Sequence, residues 1–186
     1  MSSSFIHLHL HDQYSVLDGL GKAKDYCARA RELGMSAIAL TNHGNVDGCI
    51  QWQKHCKEVD IKPIFGVEAY IVKDLTEKDK ESEKRFHITL LARTLTGWQN
   101  ILKMLTVANA QGFYYKPRID FDLLFDHCDG LAIGSACASS YLNMEDGIKY
   151  ARKLKEKGAL VYLELMPIDM DLQRAVSYTH LRAHET

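Results

Sequence analysis

Residues 5–12 read FIHLHLHD, and the reading of the whole chain starts there. Ile6, Leu8 and Leu10 alternate with His7, His9 and His11. On an extended strand alternate residues share a face, so one face is aliphatic and the other is imidazole. In a sheet wrapped by helices the aliphatic face packs outward and the imidazoles look inward. Three inward imidazoles without partners would each leave ring nitrogens unpaired, at a cost of roughly a few kcal/mol. A metal ion removes that cost for one nitrogen per ring, while a neighbouring group orients the other. Imidazole is largely neutral near pH 7 and therefore ready to ligate. The plainer alternative is a histidine-rich strand facing solvent.

Strand-length apolar runs and helix-period segments alternate beyond this point. Strands are expected at residues 5–11, 36–41, 64–72, 87–92, 131–135 and 160–165, and helices at 22–33, 45–59 (capped by Asn45), 97–110 and 144–157. Such alternation predicts parallel strands joined by right-handed crossovers, in an incomplete barrel or a doubly wound sheet. On the second strand Ala37, Ala39, Thr41 and His43 share one face, and Ile38, Leu40 and Asn42 share the other. Glu68 lies inside an otherwise apolar strand, which is costly unless the carboxylate is paired or bound to metal. His87 opens the next strand, and Cys137 follows the strand 131–135. Each alone has an ordinary reading: a core histidine, a paired glutamate, a buried thiol. Together they are expected to meet at strand C-terminal ends, where parallel barrels collect their active sites.

Composition sets outer limits. The 186 residues suffice for one domain, with 46% hydrophobic and 25% charged residues and a net charge of −1. A near-neutral chain is a poor free-standing nucleic-acid binder, so any DNA chemistry needs other parts of a larger protein to hold the strand. No apolar run approaches the roughly 20 residues of a membrane-spanning helix, and residues 1–11 carry no secretory leader. Five unpatterned cysteines are expected to be reduced thiols in a cytoplasm. Cys49, Trp52 and Cys56 read as one core-facing helix stripe, Trp98 as helix packing, and the charge run 73–85 as a solvated loop or short surface helix. Residues 176–186 (VSYTHLRAHET) look foreign, resembling one reading frame of a sequencing adapter; the native domain is expected to span 1–175, with His180 and His184 as noise.

FIHLHLHDQYSVLDG, followed in order by LTNHGN, GVEAY, FHITLLA, GFYYKPRI and GSAC, resembles the PHP (polymerase and histidinol phosphatase) superfamily. More narrowly, LDG and GFYYKPRI resemble the branch found at the start of bacterial DNA polymerase III alpha subunits. The resemblance implies a distorted (βα)7 TIM-like barrel, truncated here before its last strand, holding up to three divalent metals. The implied ligands are His9, His11, Asp18, His43, Glu68, His87 and Cys137, with His7 less secure because other PHP proteins often carry Asp there. Glu68, His9 and His11 are the residues expected to be catalytic. The family's final Asp and His motif is absent, so the fragment alone is expected to be poorly stable and inactive.

Two departures from the family pattern stand out: Asn42 where Asp is usual, and Asp12 where Ser or Thr is usual. By strand parity Asn42 points away from His43, so an indirect effect on the cluster is expected. Imidazole, carboxylate and thiolate donors suit Zn²⁺, Mn²⁺ or Fe²⁺ better than Mg²⁺ or Ca²⁺. The implied function is metal-dependent phosphodiester hydrolysis, a 3′–5′ exonuclease serving DNA replication, with no side-chain nucleophile required. Tyr114 and Tyr115 are expected to stack bases while Lys116 and Arg118 meet phosphates; a packed, proline-braced loop is the other reading. The implied partners are DNA held by the remaining polymerase, a proofreading exonuclease and a sliding clamp. Two rivals stand beside this reading: a purely structural metal site, and a free-standing phosphatase such as histidinol phosphatase.

Overall fold

A computed structural model describes residues 5–78 and 85–166. Residues 79–84 of the charge run and the whole of the expected foreign tail therefore lie outside the described residues. Six strands form one mixed sheet: β1 (Ala37–Leu40), β2 (Lys62–Val72), β3 (Phe86–Ala92), β4 (Arg118–Asp120), β5 (Leu131–Gly134) and β6 (Leu160–Tyr162). Among the described residues five α-helices accompany them: α1 (Ala23–Glu32), α2 (Cys49–Glu58), α3 (Leu95–Ala110), α4 (Phe121–Asp126) and α5 (Gly147–Glu156).

The long strand β2 organises the sheet. Residues 62–65 pair in parallel with β1, residues 66–71 pair antiparallel with β3, and residues 70–72 pair in parallel with β4. β3 pairs antiparallel with β5, which runs parallel to β6. The expectation of an all-parallel sheet is thus corrected. In the sequence no helix-period segment separates β2 from β3; a polar connection does, and β3 runs antiparallel to β2. The histidine strand also differs from expectation. Residues 5–11 form no full ladder, but run beside β1 through a parallel bridge from His7 to Ile38 and through Ala39 and Thr41 N–H groups donated to the His7 and Leu10 carbonyls.

Helix boundaries follow the local chemistry. Thr94 caps α3 by accepting the Gly97 N–H, and Asp120 caps α4 by accepting the Leu123 N–H. Asn45 does not cap α2; its side chain accepts the Asp47 N–H, and Gly48, in a left-handed conformation, starts the helix instead. Short β4 and α4 lack an apolar period long enough to read from sequence. The expected face assignment of the second strand holds. Ala39 packs inward with Leu91 and Ala132, whereas Ile38 and Leu40 pack outward with Cys27, Trp52 and Cys56 of α1 and α2. The larger core joins β2, β3 and β5 to α3, α4 and α5.

Arg118 lies within this framework rather than on the surface. Its side chain is fully buried. The guanidinium donates to the carbonyls of Gly112, Leu75 and Glu77 at 2.9, 3.1 and 2.8 Å, tying β4 to the segment after β2. The expectation that it meets phosphate is corrected: its donors are spent on backbone carbonyls. Replacing Arg118 with Met keeps the volume but strands these acceptors. Chemical denaturation should show a loss of about 3 kcal/mol, whereas an unchanged midpoint would contradict this bracing role.

Candidate metal centre

Glu68 stands at the centre of the site. It lies midway along β2 with its side chain 1% exposed, surrounded by four imidazoles from three segments. Oε1 is 3.3 Å from His9 Nε2 and 3.1 Å from His87 Nδ1; Oε2 is 3.1 Å from His11 Nε2 and 3.0 Å from His43 Nδ1. Asp18 Oδ2 lies 2.8 Å from His43 Nε2, and Cys137 Sγ lies 3.3 Å from His87 Nδ1. These seven residues and Met166 line a cavity of about 440 Å³. His43 follows β1 and Cys137 follows β5, as expected, but His87 opens β3. It reaches the same rim because β3 runs antiparallel, which brings its N-terminal end to the other strands' C-terminal ends.

His7 is not brought into the cluster. It is exposed, and its ring packs edge-on against Phe5 at 5.0 Å. Strand alternation puts His7 on the face of His9, but about 7 Å further from the rim. Partial desolvation of its ring and then the neighbouring His9 hold its pKa below the ordinary value.

A second layer orients the histidines. Ser15 Oγ accepts the His43 N–H at 2.9 Å and donates to Asn42 Oδ1 at 3.1 Å. With its proton so placed, Ser15 Oγ receives His11 Nδ1–H at 2.9 Å, and the His11 Nε2 lone pair faces Glu68. The two departures from the family pattern are partners. Asn42 Nδ2 donates to Asp12 Oδ1 at 2.8 Å, and the Asp12 N–H donates to Asn42 Oδ1 at 2.9 Å. The Asn42 side chain turns away from His43, as its parity predicted, and reaches the cluster through Ser15, while its backbone carbonyl accepts the Glu68 N–H at 3.1 Å. Ser15 and Glu164 were missed in the sequence. Ser15 carried no signal; Glu164 carried the same signal as Glu68, a carboxylate within an apolar strand-like run (LVYLELM).

This arrangement asks for cations. A lone pair of His11 Nε2 and the Glu68 carboxylate are both acceptors 3.1 Å apart, and His9 Nε2 lies 3.2 Å from His11 Nε2. Buried His43 Nδ1 makes no hydrogen bond despite its 3.0 Å approach to Glu68. Three overlapping sets could each hold an ion: His9, His11 and Glu68; His11, Asp18 and His43; His43, Glu68 and His87. Protons fill the same role when metal is withheld. Burial would lower the His9 pKa, but hydrogen bonds and charge from Glu164 and Glu68 outweigh it and raise it to about 10. His43 is likewise raised against burial, by Glu68 and Asp18. Burial would raise Glu68, yet its close polar contacts with His11, His43, His87 and His9 hold it well below the carboxylate range. Burial and then the Glu68 charge push the Cys137 thiol up to about 12.

The PHP domain model matches residues 7–166 of the chain, so the match embraces all seven of these cavity-lining residues. The chain belongs to the PHP family. Its PHP relatives include DNA polymerase III subunit alpha of Helicobacter pylori strain 26695, 40% identical over 172 residues, covering 92% of this chain and 14% of that protein. The same subunit of Borreliella burgdorferi is 45% identical over 138 residues, covering 73% and 12%, and that of Aquifex aeolicus is 38% identical, covering 84% and 14%. The chain thus spans 12 to 14% of the length of these relatives. A crystal structure titled as a candidate metal-dependent phosphoesterase from Bifidobacterium adolescentis shares the PHP chain's fold at a TM-score of 0.60 and 12% identity, covering 96% of this chain and 84% of that one.

The proton-filled state gives a pH signature. With His9 raised from 6.5 to about 10, its contribution to stability is complete below pH 6.5 and is lost as pH rises through about 10. The depressed Glu68 contributes above its ordinary value of 4.5 and loses that contribution as pH falls through its folded value. In chelator, unfolding midpoints should decline between pH 6.5 and 10, and His9→Asn should flatten the decline. A flat wild-type profile would contradict the paired site.

Proposed function

We propose that this PHP domain is the metal-dependent phosphoesterase module of a bacterial replicative polymerase alpha subunit, acting as a 3′–5′ exonuclease on DNA. The observation that carries the reading is the convergence of His9, His11, His43, His87, Asp18 and Cys137 on the buried Glu68 carboxylate. Its support is threefold: the site's acceptor-rich chemistry, the family, and the DNA polymerase III alpha subunits among its relatives. The domain reading is residues 1–175 as PHP domain, with 176–186 extraneous. The barrel reading is supported by the approach of the segment after β6 to the histidine segment, through Glu164 and His9.

In this reading His9, His11, Asp18, His43, Glu68, His87 and Cys137 hold up to three divalent ions, with Zn²⁺ or Mn²⁺ favoured by imidazole and thiolate. Bound ions would supply Lewis acidity toward the phosphoryl oxygens and a water acidic enough to attack at neutral pH. Glu68 keeps its charge deep in the site, and Ser15 presents His11 with its Nε2 lone pair free. The cytoplasm is the proposed location: the five cysteines are free thiols, and among the described residues no helix is long and apolar enough to cross a membrane. The proposed partners are DNA held by the rest of the polymerase, a proofreading exonuclease and a sliding clamp.

The loop 112–118 offers a path for the strand. Tyr115 is exposed at a positive φ of 57°, and Lys116 is exposed beside it. Lys116 Nζ lies 5.8 Å from the centre of the Tyr70 ring, which stacks on His43 at 5.5 Å. Tyr114 packs edge-on against Tyr115. Tyr115 and Lys116 are therefore the DNA-facing residues, and Tyr114 supports Tyr115. Tyr115→Ala in the complete protein should raise KM for single-stranded DNA about fivefold or more with little change in kcat; an unchanged KM would exclude this path.

The decisive test of the activity uses the purified complete protein on a mispaired 3′ end. EDTA and Glu68→Gln should each lower nucleotide removal at least about 100-fold. If both leave removal untouched while ligand substitutions lower only the melting temperature, the site is structural and the exonuclease reading fails.

A further inference from the structure

Glu164 belongs to none of the three ligand sets, yet it makes the shortest polar contact at the site. Its Oε2 lies 2.6 Å from His9 Nδ1, and its Oε1 accepts the Ala136 N–H at 2.8 Å. Its own N–H donates to Ser135 Oγ at 2.8 Å. One side chain thus joins three segments: the histidine strand, the turn leading to Cys137, and the chain leaving β6. Ala136 stands at a positive φ of 60°, so that turn adopts a backbone a non-glycine residue seldom holds and is fixed on both sides by Glu164 and Ser135.

Gly134 gives the second, independent observation. A Cβ built there would lie 2.2 Å from Glu164 Oε1 and 2.6 Å from the Tyr162 ring. The last residue of β5 therefore leaves open the space that the carboxylate fills. The Glu164 side chain is only 10% exposed, and a buried carboxylate is expensive without donors. Here both oxygens are engaged, one by a backbone N–H and one by an imidazole.

We propose that Glu164 is a positioning residue for the metal centre: it takes the Nδ1 proton of His9, directs the His9 Nε2 lone pair into the cavity, and locks the Cys137 turn to the same carboxylate. A carboxylate behind a ligand histidine fixes its tautomer and raises its basicity. In this chain His9 Nε2 faces Glu68 Oε1 at 3.3 Å and His11 Nε2 at 3.2 Å, so rotation of the ring would remove a donor from the first ligand set. The inference rests on the metal-centre reading, deepens it, and assigns no ligand role to Glu164 itself.

The test is a double-mutant cycle read as metal affinity, by competition of Zn²⁺ or Mn²⁺ against a chromophoric chelator in the complete protein. Glu164→Ala should weaken binding about 10- to 100-fold, and the isosteric Glu164→Gln, which retains an acceptor but not the charge, by a smaller factor. Gly134→Ala should reproduce the loss by displacing the carboxylate. In a His9→Ala background Glu164→Ala should cost no more than about twofold, because the effect passes through His9. Equal losses with and without His9 would make Glu164 a ligand or a general stabiliser and overturn the proposal, as would full affinity in Glu164→Gln and Gly134→Ala together. Absence of binding by the unsubstituted protein would overturn the metal-centre reading itself, a different result from intact wild-type binding with no coupling.

Discussion

A single buried carboxylate governs the site. Glu68 sits in the middle of the longest strand, where its charge would be intolerable alone, and four imidazoles approach it within 3.3 Å. The imidazoles arrive from three places: the histidine segment beside β1, the turn after β1, and the start of β3. β2 makes this possible by pairing with β1, β3 and β4 along successive parts of its length. The same carboxylate explains the electrostatics: it raises His9 and His43 and is itself depressed by them. Protons and divalent cations compete for one set of lone pairs, so metal binding at neutral pH releases protons.

Around that core, hydrogen-bond partners decide which nitrogen of His9 and of His11 faces inward. Ser15 does so for His11, and Asn42 and Asp12 hold Ser15. The exchange of residue types at positions 12 and 42 places one carboxylate and one amide face to face, so the chain's two departures from the family pattern answer each other. Neither belongs to a candidate ligand set among the described residues, so the altered pair lies behind the cluster and not within it.

Much of this was legible in the sequence, for physical reasons that differ by element. The alternation at 5–11 and 37–43 fixed which side chains face inward, because period-two patterning is a direct readout of a sheet face. Glu68, His43, His87 and Cys137 were visible because polar groups in apolar strands need partners. His7 misled because alternation gives the face and not the height above the rim. Arg118 misled because a cation beside aromatics reads the same whether it meets phosphate or three backbone carbonyls. The antiparallel course of β3 escaped because strand direction depends on the connection, and a polar linker carries no period. Glu164 escaped although its pattern matched that of Glu68; its partner, His9, is 155 residues away in the chain.

The account stands most directly on where cations sit. Anomalous diffraction from crystals of the complete protein, collected on either side of the zinc and manganese absorption edges, locates them without reference to activity. The account predicts peaks about 2.0–2.2 Å from His9 Nε2, His11 Nε2 and a Glu68 oxygen, with further peaks by His43 and His87. Well-ordered density for these side chains with no anomalous peak among them, in crystals grown with either metal in excess, would contradict it.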